Sequence, residues 1–95
     1  MQVKWLTRAL ENLDEEAAYL SKESPKAAKD FVLCIQESVA RLRDHPNMGR
    51  PGRVPGTREL VLTGFPYILP YRVREGYIEI LRVFHGSRKW PSELP

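Results

Sequence analysis

Four side chains in the second half of this 95-residue chain have types suited to one reaction. Arg58, Arg72 and Arg82 carry planar guanidinium forks, and His85 carries an imidazole, the side-chain type best suited to exchange protons near neutral pH. Cutting RNA without a metal needs a base for the 2′-hydroxyl, cations for the charged phosphorane and an acid for the leaving 5′-oxygen. Three arginines and one histidine match those types. Each also has a plainer role. The arginines would be solvated at a sheet edge or paired with Glu59 or Glu79, and His85 would be a strand-end histidine bonded locally. A metal site is not expected. His45 and His85 are the only histidines, Cys34 is the only cysteine, and no ligand pair has motif spacing. No glycine-rich loop follows a strand and opens a helix, so no nucleotide cofactor is expected either. Cys34 sits inside a helical pattern without an activating neighbour and reads as a small buried or half-buried residue.

The charge is distributed unevenly. Residues 1–44 hold seven Lys/Arg against eight acids, a net of −1. Residues 45–95 hold eight Lys/Arg against four acids, a net of +4, and seven of those eight cations are arginine. Such a back half suits an acidic partner, either nucleic acid or an acidic protein segment. A single cysteine makes no internal disulfide. No apolar run approaches a membrane span, and no charged segment precedes an apolar one at the start. The expected location is the cytoplasm, and the expected organisation is one domain over 1–95.

These side chains must be positioned by elements legible in the pattern. Gln2 to Leu6 reads as a short strand with Val3 and Trp5 on one side. Thr7 has N-cap chemistry, and Ala9, Leu10, Leu13, Ala17 and Leu20 recur at helical spacing to about Ser21 or Lys22. Ser24-Pro25 restarts a helix, because serine caps and proline at the first helical position loses no hydrogen bond. Ala28, Phe31, Val32, Ile35, Val39 and Leu42 hold the helical period to Asp44, and the short link makes the two helices antiparallel. His45–Thr57 carries three prolines and three glycines and reads as a loop. Arg58–Leu62 then reads as a strand. Tyr67–Arg74 and Tyr77–Phe84 read as a hairpin turning at Glu75-Gly76. Pro70 cannot donate to a ladder and belongs at a bulge or on an unpaired side. The tail Gly86–Pro95 looks irregular. The expected class is α+β in the order β-α-α-β-β-β, with a helical hairpin on one face of a small, twisted, mostly antiparallel sheet. Arg72 and Arg74 share the opposite face by period 2, and Arg82 joins them if the register allows.

The sequence resembles the RelE/ParE superfamily of toxins. The likeness is carried by the two-helix start, then His45-Pro46-Asn47-Met48-Gly49-Arg50-Pro51, then Tyr71-Arg72-Val73, then Ile80-Leu81-Arg82-Val83-Phe84-His85-Gly86-Ser87-Arg88. It extends through Lys89-Trp90-Pro91. The resemblance implies the same β-α-α-β-β-β fold and the toxin half of a type II toxin–antitoxin pair. RelE-like members are ribosome-dependent mRNA endoribonucleases, whereas ParE-like members inhibit DNA gyrase and have no established hydrolytic site. A third possibility is an inactive member that only binds its antitoxin.

Several departures favour the ParE-like branch. Arg50–Leu62 contains no lysine, the loop has no acid, no tyrosine follows His85, and Ile68 stands where a RelE-like nuclease would have arginine. On this reading no residue is catalytic. The ribonuclease alternative would use Arg58, Arg72, Arg82 and His85, with ribosome and mRNA as partners. The resemblance further implies a target surface of Arg72, Arg74, Arg82, His85, Arg88, Lys89 and Trp90. It implies a cognate antitoxin that is disordered when free and wraps the toxin on Leu10, Leu13, Ala17, Val39, Leu42, Arg58 and Arg72, with Ile35 beside them.

Overall fold

The computed structural model describes residues 1–87 and Leu94. Strand β1 (Gln2–Trp5) leads into helix α1 (Thr7–Glu23) and helix α2 (Pro25–Asp44). Strands β2 (Arg50–Pro51), β3 (Arg58–Val61), β4 (Tyr67–Arg74), β5 (Tyr77–Ile80) and β6 (Phe84–His85) follow. The sheet runs β1-β5-β4-β3-β2, with β6 also on β4. Only β1 is parallel to its neighbour, β5; the other described pairings are antiparallel.

Thr7 is not the N-cap of α1; Leu6 is, and no side chain caps there. The Leu6 N–H is held by the Ile80 carbonyl at 3.1 Å, so the end of the strand pairing fixes where the helix begins. At the other end one residue serves both helices. The Ser24 backbone N–H donates to Leu20 at 2.9 Å, and its hydroxyl accepts from the Ala27 N–H at 3.2 Å. With Pro25 next, the chain reverses in one step.

The helices cover one face of the sheet. Phe31, Ile35, Val39 and Leu42 of α2 and Ala9 of α1 meet Leu60, Leu62, Tyr67, Leu69, Tyr71, Ile78 and Ile80. Each fully buried aliphatic side chain contributes about 1.5–3 kcal/mol. Leu13, Ala17 and Leu20 pack against this core while half-buried.

The strands differ from expectation in two places. Arg50–Pro51 forms a short strand inside the expected loop, because Glu59 holds its side chain (below). The expected Tyr77–Phe84 strand is broken. Tyr71 pairs with Ile80 but Ile68 pairs with Phe84, so three steps along β4 face four on the other side. The extra residue is a bulge within Leu81–Val83. It lies opposite Pro70, as proline chemistry requires. The Pro70 carbonyl accepts from the Leu81 N–H at 2.9 Å, and a residue's N and C=O face the same side of a strand. The missing proline donor therefore points at the break in the ladder. Val83 finds its acceptor elsewhere, at Asn12 Oδ1 of α1, 3.2 Å away.

Candidate functional site

Arg58 and Tyr71 are neighbours across β3 and β4, on the helix side. Together they fasten the loop that follows α2. The Tyr71 hydroxyl donates to the Pro46 carbonyl at 2.7 Å and accepts from the Gly49 N–H at 2.9 Å. Arg58 Nη1 donates to the Gly49 carbonyl at 2.8 Å and to that of Asn47 at 3.2 Å. A Cβ on Gly49 would fall 2.6 Å from Tyr71 Cε1 and 2.9 Å from the Glu59 carbonyl, so glycine is required there. Burial pushes the Tyr71 phenol above its ordinary value, opposed in part by the Gly49 N–H and by Arg58. The His45–Pro51 motif is thus a clamped loop, and Arg58 is occupied in clamping it.

The opposite face of the sheet is basic; it is closed where β3 meets β4, at Glu59, Ile68 and Pro70, and exposed at Arg74. Glu59, only 2% exposed, receives Arg50 at 2.9 Å, the Arg53 N–H at 2.9 Å and Arg53 Nε at 3.8 Å. Arg72 Nε meets Glu79 Oε1 at 2.7 Å. That hydrogen bond holds the Glu79 carboxyl below its ordinary range, and the charges of Arg74 and Lys4 add to the effect. Lys4 lies over the Tyr77 ring at 4.4 Å. Arg74 pairs with Tyr77 in the ladder, so Arg72 and Arg74 do share this face. The Arg72–Glu79 pair is of the kind that the plainer reading of the arginines anticipates, whereas Glu59 is taken by Arg50 and Arg53 and not by Arg58 or Arg82. Among the described residues the face gathers five cations (Lys4, Arg50, Arg53, Arg72, Arg74) against two carboxylates (Glu59, Glu79). Such a surface attracts an acidic partner.

Arg82 does not join it. The basic-face set of β5 is Tyr77 and Glu79, and Arg82 falls in the bulge beside α1. Burial lowers its pKa from the usual arginine value, and Arg8 lowers it further against a smaller opposing pull from Glu11. His85 pairs with Tyr67 on the helix side, its ring edge-on to the tyrosine at 5.3 Å. Its Nδ1 accepts from the Ser87 N–H at 3.2 Å and lies 2.8 Å from the Ser87 hydroxyl. This is a strand-end histidine bonded locally.

The four residues of the ribonuclease alternative are therefore not brought together. Arg58 is under the loop, Arg72 is on the basic face, Arg82 is against α1 and His85 is beside Tyr67. The expected antitoxin surface narrows as well. Val39, Leu42 and Ile35 are 5%, 0% and 1% exposed and belong to the core, closed to a partner. Leu13 and Ala17 are half-buried against that core, while Leu10 is 46% exposed. Arg88, Lys89 and Trp90 of the expected target surface lie outside the described residues. Sequence reasoning missed Lys4 and Arg8, whose places depend on β1 lying beside β5 and on the bulge. Cys34 is half-buried, with its Sγ 3.6 Å from the Thr63 carbonyl. Among the described residues no group of histidine, cysteine and carboxylate side chains could hold a metal ion, and no helix is long and apolar enough to cross a membrane.

Comparison with known proteins gives one consistent answer. A family model described as "ParE toxin of type II toxin-antitoxin system, parDE" matches residues 3–90. The chain is 46% identical over 93 residues to "Putative toxin Y4kP" of Sinorhizobium fredii, covering 98% of this chain and 96% of that protein. It is 34% identical over 87 residues to "Toxin RelE2" of Caulobacter vibrioides, covering 92% and 97%. A chain of the solved "Chromosomal ParDE TA system from P. aeruginosa" superposes with a TM-score of 0.79 at 35% identity, over 90% of this chain and 95% of that one.

Proposed function

Because this chain belongs to the ParE toxin family of type II toxin–antitoxin systems, we propose that it blocks growth by binding DNA gyrase through its basic sheet face. No bond is broken by the toxin itself. One observation carries the reading: the side chains that RNA cleavage would need sit at separate places, while Lys4, Arg72 and Arg74 converge on one surface. Guanidinium groups suit carboxylate surfaces through their paired donors. A face of this charge speeds encounter with an acidic patch, and added salt screens it. The cognate antitoxin neutralises the toxin by covering it, and exposed Leu10 on α1 is part of that contact. The setting is cytoplasmic, where gyrase and a thiol-only protein both belong.

The test is a supercoiling assay with purified gyrase beside primer extension on translated mRNA, using toxin alone. Inhibited supercoiling with uncut transcripts is expected. Arg74→Glu, on an exposed residue, should weaken inhibition and flatten its salt dependence while the fold is kept. Cleavage within codons together with normal supercoiling would overturn the proposal.

A further inference from the structure

Strands β1, β5 and β4 put six side chains of the basic face into a small grid. In one row Lys4 lies beside Glu79 and Glu79 beside Arg72; two residues along, Gln2 lies beside Tyr77 and Tyr77 beside Arg74. This part of the face is reachable from solvent. Gln2, Lys4 and Arg74 are exposed, and Tyr77, Glu79 and Arg72 are half-buried. The first row alternates in sign, because the Glu79 carboxylate stands between Lys4 and Arg72 and is held ionised by the 2.7 Å bond from Arg72 Nε. Tyr77 is the middle of the second row. Lys4 Nζ covers its ring at 4.4 Å, which steadies the ring and brings the ammonium charge into that row. Neither Lys4 nor Arg74 is in an ion pair among the described residues, so both charges are available to a partner.

We propose that this grid is a protein-recognition subsite, with Tyr77 as its central anchor, Lys4 and Arg74 as its charged flanks, and Glu79 excluding nucleic acid. The inference rests on the reading that the basic face binds gyrase, and it assigns the contact to protein surface rather than to DNA. A phosphate backbone presents unbroken negative charge and is met by a run of cations. Here a phosphate drawn to Lys4 or Arg72 also comes within about one strand spacing, roughly 5 Å, of the Glu79 carboxylate, well inside the screening length, and is repelled. The charge count agrees, since Lys4, Arg72 and Arg74 stand against Glu79 and the turn residue Glu75, a net of 3 − 2 = +1. A tyrosine ring flanked by guanidinium is instead the composition of a protein hot spot, because a stiff ring with a polar tip buries much area at little entropic cost. The matching surface carries two carboxylates set to meet Lys4 and Arg74, whose Cα atoms lie roughly 12 Å apart by strand spacing and rise, on either side of an apolar pocket for the ring.

The experiment uses the full-length toxin, purified DNA-free gyrase and a short DNA duplex, with affinities from titration calorimetry and fluorescence anisotropy. The unmodified toxin should bind gyrase without DNA and bind the duplex far more weakly. Tyr77→Ala is expected to weaken gyrase binding about ten- to a hundredfold, as loss of an interface anchor does, while Tyr77→Phe, which keeps the ring, stays close to the unmodified toxin. Lys4→Gln, on an exposed side chain, tests the flank without disturbing packing and should weaken gyrase binding about three- to tenfold with a shallower salt dependence. Glu79→Gln should raise duplex affinity and steepen its salt slope by about one, with no matching gain toward gyrase. Gyrase affinity unchanged in Tyr77→Ala overturns the anchor; should that variant fail to fold, unchanged affinity in Lys4→Gln overturns the subsite in its place. Duplex affinity equal to that for gyrase, or unmoved in Glu79→Gln, overturns the exclusion of nucleic acid. Gyrase binding that requires DNA overturns the subsite as a whole. Each of these leaves the gyrase reading standing, whereas no binding of the unmodified toxin to gyrase, with or without DNA, overturns both.

Discussion

Replacing Tyr71 by phenylalanine isolates the clamp on the loop from the packing of the ring. The aromatic ring stays in place, fully buried between the strands and α2. Only the hydroxyl is lost, and with it the bonds to the Pro46 carbonyl at 2.7 Å and from the Gly49 N–H at 2.9 Å. Gly49 is buried, so its N–H is left without a partner and costs about 1–3 kcal/mol. Pro46 is half-buried and its carbonyl regains water, so its loss lies at the low end of the same range. Together the change should cost about 2–3 kcal/mol, which lowers the melting temperature of a domain this size by roughly 10–20 °C. Urea denaturation should show a lower midpoint with an unchanged slope, since no new surface is exposed. Alkaline titration gives a second reading. The folded pKa of Tyr71 is raised above its ordinary 10.0, so the native state holds this proton more tightly than the unfolded chain. Its contribution is intact below that value and is lost as pH rises through the folded pKa. Tyr71→Phe should remove this alkaline loss. A destabilisation below about 0.5 kcal/mol, within the range of an ordinary surface substitution, would refute the clamp.

Three further outcomes follow from local geometry. Glu75 sits at φ 51° beside Gly76 at φ 81°, the signature of a type I′ turn, so Glu75→Asn should stabilise by roughly 0.5–1 kcal/mol in thermal unfolding. Gly49→Ala places a Cβ 2.9 Å from a backbone carbonyl that cannot swing away, and should lower the denaturation midpoint more than Tyr71→Phe does. Arg72→Gln should raise the Glu79 titration by NMR toward its ordinary 4.5; because the folded pKa is depressed, the pair's small contribution is present above that value and is lost as pH falls through the folded one.

The helices were legible because their signals are local. Ser24-Pro25 caps and starts α2 as its chemistry requires, and the stripe from Phe31 to Leu42 is the core stripe. The same stripe misled about the antitoxin. Periodicity says that Val39 and Leu42 face something apolar, but only the sheet beneath shows that it is the protein's own core. The Thr7 cap failed because a long-range bond, Leu6 to Ile80, fixed the end of the strand. Strand β2 was missed because it depends on Glu59, eight residues beyond its end at Pro51, to hold Arg50. Lys4 became part of the basic face only through the parallel pairing of β1 with β5, which no local pattern announces.

Register also explains why Arg82 could not have joined Arg72 and Arg74. Ile78 and Ile80 face the core, so strict alternation would send Arg82 to the core as well, opposite the fully buried Leu69. A guanidinium there would face only apolar side chains, at a cost far above that of one lost ladder bond. The chain instead inserts one residue. Val83 then takes the core position, Pro70 meets the gap that its missing N–H requires, and Asn12 supplies the acceptor that β4 no longer offers. Three residues distant in sequence thus agree on one bulge. That bulge sets Arg82 against the flank of α1, apart from Arg72 and Arg74 on the sheet face.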